Sequence, residues 1–179
     1  HLPTRRQRQM CIRDSSLTPL LNRRAAKEDI NALIVQSSRA FFPLSFLLLD
    51  IDFFKDINDS FGHEVGDRVL INLSKVILEQ VRETDVVARW GGEEFLIVLY
   101  NATLESIKCF SERLHSAIST ILLPDGSPIT VSIGGSVLDR DGLAQSDVIA
   151  SQLLKADKAL YSAKENQKGH TRIMDESGE

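Results

Sequence analysis

"DVVARWGGEEFLIVLY", residues 85–100, is the stretch that decides the fold. "DVVARW" and "FLIVLY" both read as buried strand, and only Gly91, Gly92, Glu93 and Glu94 lie between them, which marks a tight β-hairpin. Glycines without Cβ atoms suit a left-handed turn there and leave the backbone open to a ligand. Two neighbouring carboxylates beside buried strands repel each other unless something positive faces them.

Working outward, hydrophobic periodicity orders the rest of the chain. Thr18 and Pro19 can open a helix whose apolar face is Ala26, Ile30, Leu33 and Ile34. "LSFLLLDI" has almost no polar interruption, as in a strand buried on both faces. "KDINDSFGH" reads as a polar loop, and Val65, Val69, Leu73, Val76 and Ile77 then recur at helical spacing up to about Val81. After the hairpin, Leu104, Ile107, Leu114, Ile118 and Ile121 mark another helix, and "ITVSIGGSV" alternates as a strand. Ile149, Leu153, Ala156, Leu160 and Ala163 line a last helix, with "TRI" as a short closing strand. Past the first helix the order is strand, helix, strand, strand, helix, strand, which predicts an α+β, ferredoxin-like fold. The expected form is a mostly antiparallel sheet with helices on one face and helical additions at both ends.

A chain of 179 residues with 42% hydrophobic content fits one domain with its own core. The net charge of −4 excludes the basic footprint of a non-specific nucleic-acid binder. "FFPLSFLLLD" is broken by Pro43 and stopped by Asp50, short of the roughly 20 residues of a spanning helix. Cys11 and Cys109 stand far apart without a CxxC, so a cytoplasmic domain is expected, with any membrane tether in the parent protein left open. The basic leader "HLPTRRQRQMCIRDS", residues 1–15, is similar to translated adapter sequence and is set aside as non-native or disordered, with native chain expected further upstream. Residues 16–174 are taken as the domain and 175–179 as a frayed tail.

In the predicted topology the first strand neighbours the hairpin, so Asp50, Asp52, Glu93 and Glu94 crowd one edge. Oxygen ligands of that charge suit a hard divalent cation, and Mg²⁺ (or Mn²⁺) takes one or two carboxylates plus phosphate oxygens. A metal beside a bare backbone turn points to a nucleoside triphosphate. Read alone, a Gly-Gly hairpin with exposed acids is ordinary turn chemistry; the second acidic cluster reverses that reading.

"RWGGEEF", with "LLLDIDFFKDINDSFGHEVGD", "VSIGG" and "ADKALYSAKENQ", resembles the GGDEF domain of diguanylate cyclases from about Leu17 to Ile173. The resemblance implies a nucleotidyl-cyclase-like palm that condenses two GTP into cyclic di-GMP with release of two pyrophosphates, working as a symmetric homodimer, each half presenting one GTP. It implies that Asp50, the carbonyl of Ile51 and Glu93 hold the metal, and that Glu94 binds a second metal or helps activate the attacking 3′-hydroxyl. Phe53, Phe54 and Lys55 fall where the β- and γ-phosphates are cradled, beside Gly91 and Gly92. Asn58 and Asp67 match the pair that reads guanine, with helix capping as the plain alternative. Lys164 and Lys168 fall where the family directs a Lys and an Arg toward the triphosphate.

"RETD" supplies Arg82 and Asp85, which match the family's inhibitory site for cyclic di-GMP, and Arg113 matches its supporting arginine. A surface ion pair is the plain alternative for this motif. The chain departs from the family pattern at Pro19, Gln167 and Lys168, which stand in place of Gly, Gly and Arg. Lysine keeps the charge but loses the two-pronged contact of arginine. Those departures motivate a second reading, a catalytically weak module that binds cyclic di-GMP or GTP as a sensor. A third, altered nucleotide choice, is opposed by Asn58 and Asp67. An upstream sensory domain is expected in the parent protein.

Overall fold

The computed structural model describes residues 17–40, 42–138, 142–144, 146–166 and 168–174. The leader with Cys11, Gln167 and the tail lie outside the described residues. The elements run α1 (Arg23–Ala40), β1 (Leu44–Ile51), α2 (Phe54–Phe61), α3 (His63–Gln80), β2 (Val86–Arg89), β3 (Glu94–Tyr100), α4 (Leu104–Ile118), β4 (Val131–Leu138), a 3₁₀ turn (Gly142–Ala144), α5 (Val148–Asn166) and β5 (Thr171–Met174). The five strands form one sheet in the order β2-β3-β1-β4-β5. β1 lies at its centre, antiparallel to β3 and β4, while β5 joins β4 in parallel.

Because β1 is central and covered on both sides, all eight of its residues are buried. Leu47, Leu49 and Ile51 enter one core with Val69, Leu73 and Ile77 of α3 and Ile107, Phe110 and Leu114 of α4. Leu44, Phe46 and Leu48 enter a second with Ala26, Ile30 and Leu33 of α1 and Ala156 and Leu160 of α5. Helices therefore cover both faces, not one as predicted. The helical additions at the two ends close the second face, which the unbroken apolar run of β1 already demands.

Two further expectations are corrected. The first helix opens at Arg23, not at Thr18–Pro19: Leu21 bridges Ala88, and the Asn22 side chain caps the helix by accepting from the Ala25 N–H at 2.9 Å. "KDINDSFGH" is mostly helix, because Phe54, Ile57 and Phe61 share one face that packs on the first core. Among the described residues no helix is long and apolar enough to cross a membrane.

Candidate active site at the end of the central strand

The ladder register brings the acids together. Asp50 pairs with Glu94 of β3 on one side and with Ser132 of β4 on the other. Residues directly opposite across a sheet share a face, and this is the face that α5 covers. From α5, Lys164 Nζ reaches Asp50 Oδ1 at 2.9 Å, with its side chain about a third exposed against 12% for Asp50. Burial pushes the Glu94 carboxyl above its ordinary value, and the charge of Asp50 pushes it further. The Lys164 ammonium opposes that shift, and Asp157 and Glu93 add smaller contributions in the same direction as Asp50. Glu93 precedes the paired stretch and is half-buried in the connection, so the register sets Glu94, not Glu93, opposite Asp50.

Asp52 leaves the expected crowd of four. It is buried and accepts from the hydroxyls of Thr130 at 2.8 Å and Ser132 at 2.7 Å, while its N–H donates to the Thr130 carbonyl at 3.0 Å. Hydroxyl donors satisfy this carboxylate without a cation, and the bonds tie the β1–α2 turn to β4. In that turn Phe53 adopts a left-handed conformation (φ 56°, ψ 28°) and stands 55% exposed. Lys168 Nζ lies 3.6 Å from the centre of its ring. Phe54 packs on the core and Lys55 is exposed.

The glycine pair works differently from the sequence expectation. Neither Gly91 nor Gly92 has a positive φ. The connection closes instead through the Trp90 and Gly91 N–H groups, both donating to the Glu94 carbonyl at 2.8 and 3.2 Å. Arg89 adds Nε and Nη2 donors to the Gly92 carbonyl at 3.0 and 2.7 Å. What the glycines provide is room: a Cβ on Gly91 would stand 2.7 Å from Glu94 Oε2, and one on Gly92 would meet nothing within 4 Å.

Asn58 of α2 packs against α3 at Gly66, a glycine the sequence pattern does not single out. The Asn58 side chain lies so tightly over Gly66 that a Cβ there would fall 1.9 Å from Asn58 Oδ1. Asp67 follows Gly66 directly and is exposed. Neither residue caps a helix: α2 begins after Phe53 and α3 after Gly62, in each case without a side-chain cap.

On another side, Arg82, Asp85 and Arg113 line one cleft of about 380 Å³ together with Gln80 and Tyr100. Asp85 is engaged from within, its Oδ2 accepting from the Arg82 N–H at 2.7 Å and its Oδ1 from the Tyr100 N–H at 2.9 Å. Arg113 donates to Gln80, through Nε to Oε1 at 3.0 Å and through Nη2 to the carbonyl at 3.1 Å. The Arg82 guanidinium is exposed.

The donor set suits a divalent cation that also has phosphate oxygens as partners. Asp50 and Glu94 are two carboxylates on one face, and burial first, then the charge of Asp50, holds Glu94 above its ordinary value. Among the described residues no three His, Cys, Asp or Glu side chains converge into a cage of their own.

Comparison with known proteins gives a consistent picture. The family model described as "Diguanylate cyclase, GGDEF domain" matches residues 13–170. The chain is 39% identical to diguanylate cyclase A of Treponema denticola over 133 residues, which is 73% of this chain and 34% of that protein. The chain thus spans about a third of the length of the curated relatives it matches. It is similar to the solved active GGEEF domain of a diguanylate cyclase from Vibrio cholerae, with TM-score 0.80, 34% identity and coverage of 88% of this chain and 99% of that one. The GGDEF domain of DgcB from Caulobacter crescentus in complex with c-di-GMP is similar at TM-score 0.80 and 26% identity, covering 89% of this chain and 91% of that one.

Proposed function

The chain belongs to the GGDEF-domain family of diguanylate cyclases, and we propose that it condenses two GTP into cyclic di-GMP and two pyrophosphates. The observation that carries this reading is the cross-strand pair Asp50–Glu94 under Lys164, two carboxylates and an ammonium brought together from three separate chain segments. Asp50, the Ile51 carbonyl, Glu93 and Glu94 would hold Mg²⁺ or Mn²⁺. Such a cation, when bound, neutralises triphosphate and stabilises the entering and leaving oxygens at phosphorus.

The remaining roles fall to the chain's own groups. N–H groups of Phe53 and Phe54 at the start of α2, with Lys55, would receive the terminal phosphates. Lys164 and Lys168 would add charge from α5 and the segment after it. Asn58 and Asp67 would read guanine, the carboxylate accepting from N1 and N2 hydrogens. Gly91 and Gly92 would let the nucleotide lie against the hairpin. Glu94 would assist loss of the proton from the attacking 3′-hydroxyl, a role that its raised proton affinity supports.

The cleft of Arg82, Asp85 and Arg113 would bind the product and restrain turnover, since exposed guanidinium groups suit both phosphate and guanine edges. The working unit would be residues 16–174 as a homodimer, downstream of a sensory domain. The test is chromatographic analysis of products from GTP and Mg²⁺, using the chain fused to a constitutive dimeriser. Cyclic di-GMP is the expected product, and no cyclic dinucleotide would sink the proposal. The sensor reading is favoured by one observation, the Lys168 ammonium resting on Phe53 where the family has an arginine. Calorimetry showing tight product binding with no turnover would select it.

A further inference from the structure

We propose that Lys164 is a resident counter-ion of Asp50 that an incoming divalent cation must displace, so that metal binds well only together with the triphosphate that receives the displaced ammonium. The inference rests on the reading of Asp50 and Glu94 as metal ligands, and it adds a coupling that this reading does not contain.

The geometry for it is already in place. Asp50 is buried, faces Glu94 across the ladder, and has Lys164 Nζ on Oδ1 at 2.9 Å. Like charges directly opposite each other in a sheet destabilise it, so the ammonium stabilises the pair while no other cation is there. The two oxygens of one carboxylate are too close for a dication on one to escape an ammonium on the other. Metal and Lys164 therefore compete for Asp50. The loser needs a new partner, and four methylenes give the lysine head the freedom to find one nearby.

α5 packs closely on the sheet. A Cβ on Gly134 would lie 2.1 Å from the Ala156 carbonyl oxygen and 2.2 Å from the Leu160 nitrogen, so the helix rests against bare backbone of β4. The exchange therefore calls on the Lys164 side chain alone, with α5 left in place. Lys168 shows the same economy: its ammonium sits over Phe53, three residues beyond Asp50 on the same turn, a contact that phosphate can outbid. Because binding couplings are reciprocal, triphosphate raises metal affinity by the same factor that metal raises triphosphate affinity.

The test measures Mn²⁺ binding by electron paramagnetic resonance, with and without a non-hydrolysable GTP analogue, for the wild-type chain, Lys164→Met, Lys164→Arg and Lys168→Met. In Lys164→Met, Mn²⁺ alone should bind roughly five-fold tighter, in line with loss of one partly exposed ion pair, while Mn²⁺ with the analogue binds more weakly. Lys164→Arg should keep the weak metal-alone binding. Lys168→Met removes an equal charge not seated on Asp50 and should leave metal-alone binding unchanged. The proposal is overturned if Lys164→Met binds Mn²⁺ alone no better than wild type, or if Lys168→Met gains as much, since a general charge effect then suffices. Absence of Mn²⁺ binding in every protein, analogue present, would instead overturn the metal-site reading and this inference with it. Circular dichroism on each variant separates these outcomes from loss of fold.

Discussion

Glu94 combines a structural liability with a chemical use. Its carboxyl is raised above its ordinary value first by burial and then by Asp50. The folded metal-free chain therefore holds this proton more tightly than the unfolded one, and stability falls as pH climbs through that window. Glu94→Gln removes the charge at similar size. The variant should melt higher than wild type at pH 8, with the difference vanishing toward pH 4, while product formation drops about a hundred-fold or more. A lower melting temperature at pH 8 would show that the carboxylate is compensated rather than strained.

The Arg82–Asp85 motif divides in the same way. Asp85 holds two backbone N–H groups, so Asp85→Ala should cost about 1–3 kcal/mol in urea unfolding. Arg82 presents an exposed guanidinium, so Arg82→Ala should barely alter stability yet weaken cyclic di-GMP binding measured by calorimetry. Equal stability losses would argue that the motif is only a turn lock.

Among the elements, legibility followed burial. β1, β3 and α3 were readable because their apolar residues form unbroken or evenly spaced runs, and "LSFLLLDI" matches β1 end to end. α2 was missed because Asp56, Asn58, Asp59 and Ser60 are weak helix formers that hid the Phe54–Ile57–Phe61 stripe. The cover on the second face was missed because a stripe on α1 or α5 does not say which side of the sheet receives it. At the site, the motif resemblance supplied residue identities but not contacts. Asp52 was grouped with the acids because its hydroxyl partners Thr130 and Ser132 are 78 and 80 positions away.

Gly134 shows what such long-range contacts conceal. Its two nearest neighbour atoms are backbone of α5, which cannot move aside as a flexible side chain would. Gly134→Ala should push α5 outward, cost about 1–3 kcal/mol by overpacking, and loosen Lys164 from Asp50. Combined measurement of urea unfolding and GTP KM checks this: both should worsen together. An unchanged stability would mean that the helix seats itself without the close approach.

At the scale of the whole molecule, the proposed reaction would make symmetry a chemical requirement. Cyclic di-GMP contains two equivalent phosphodiester linkages, and each demands a 3′-hydroxyl aimed in line at another nucleotide's phosphorus. One chain carries one Asp50–Glu94 pair and one copy of the proposed guanine readers, Asn58, packed on Gly66, and Asp67. A single copy of the proposed site accommodates one GTP and leaves its 3′-hydroxyl without an acceptor. A second copy related by a two-fold axis would supply the missing half, as closed isologous pairs do for both partners at once. Specific activity should therefore rise with protein concentration while dimers are scarce, and become independent of concentration once a fused coiled coil enforces pairing. Mixing wild type with an excess of Glu94→Gln chain should suppress activity beyond simple dilution, because mixed pairs hold only one competent half. If specific activity stays constant across a dilution series in which light scattering reports only monomer, the second linkage is closed within one chain and the two-fold arrangement is wrong.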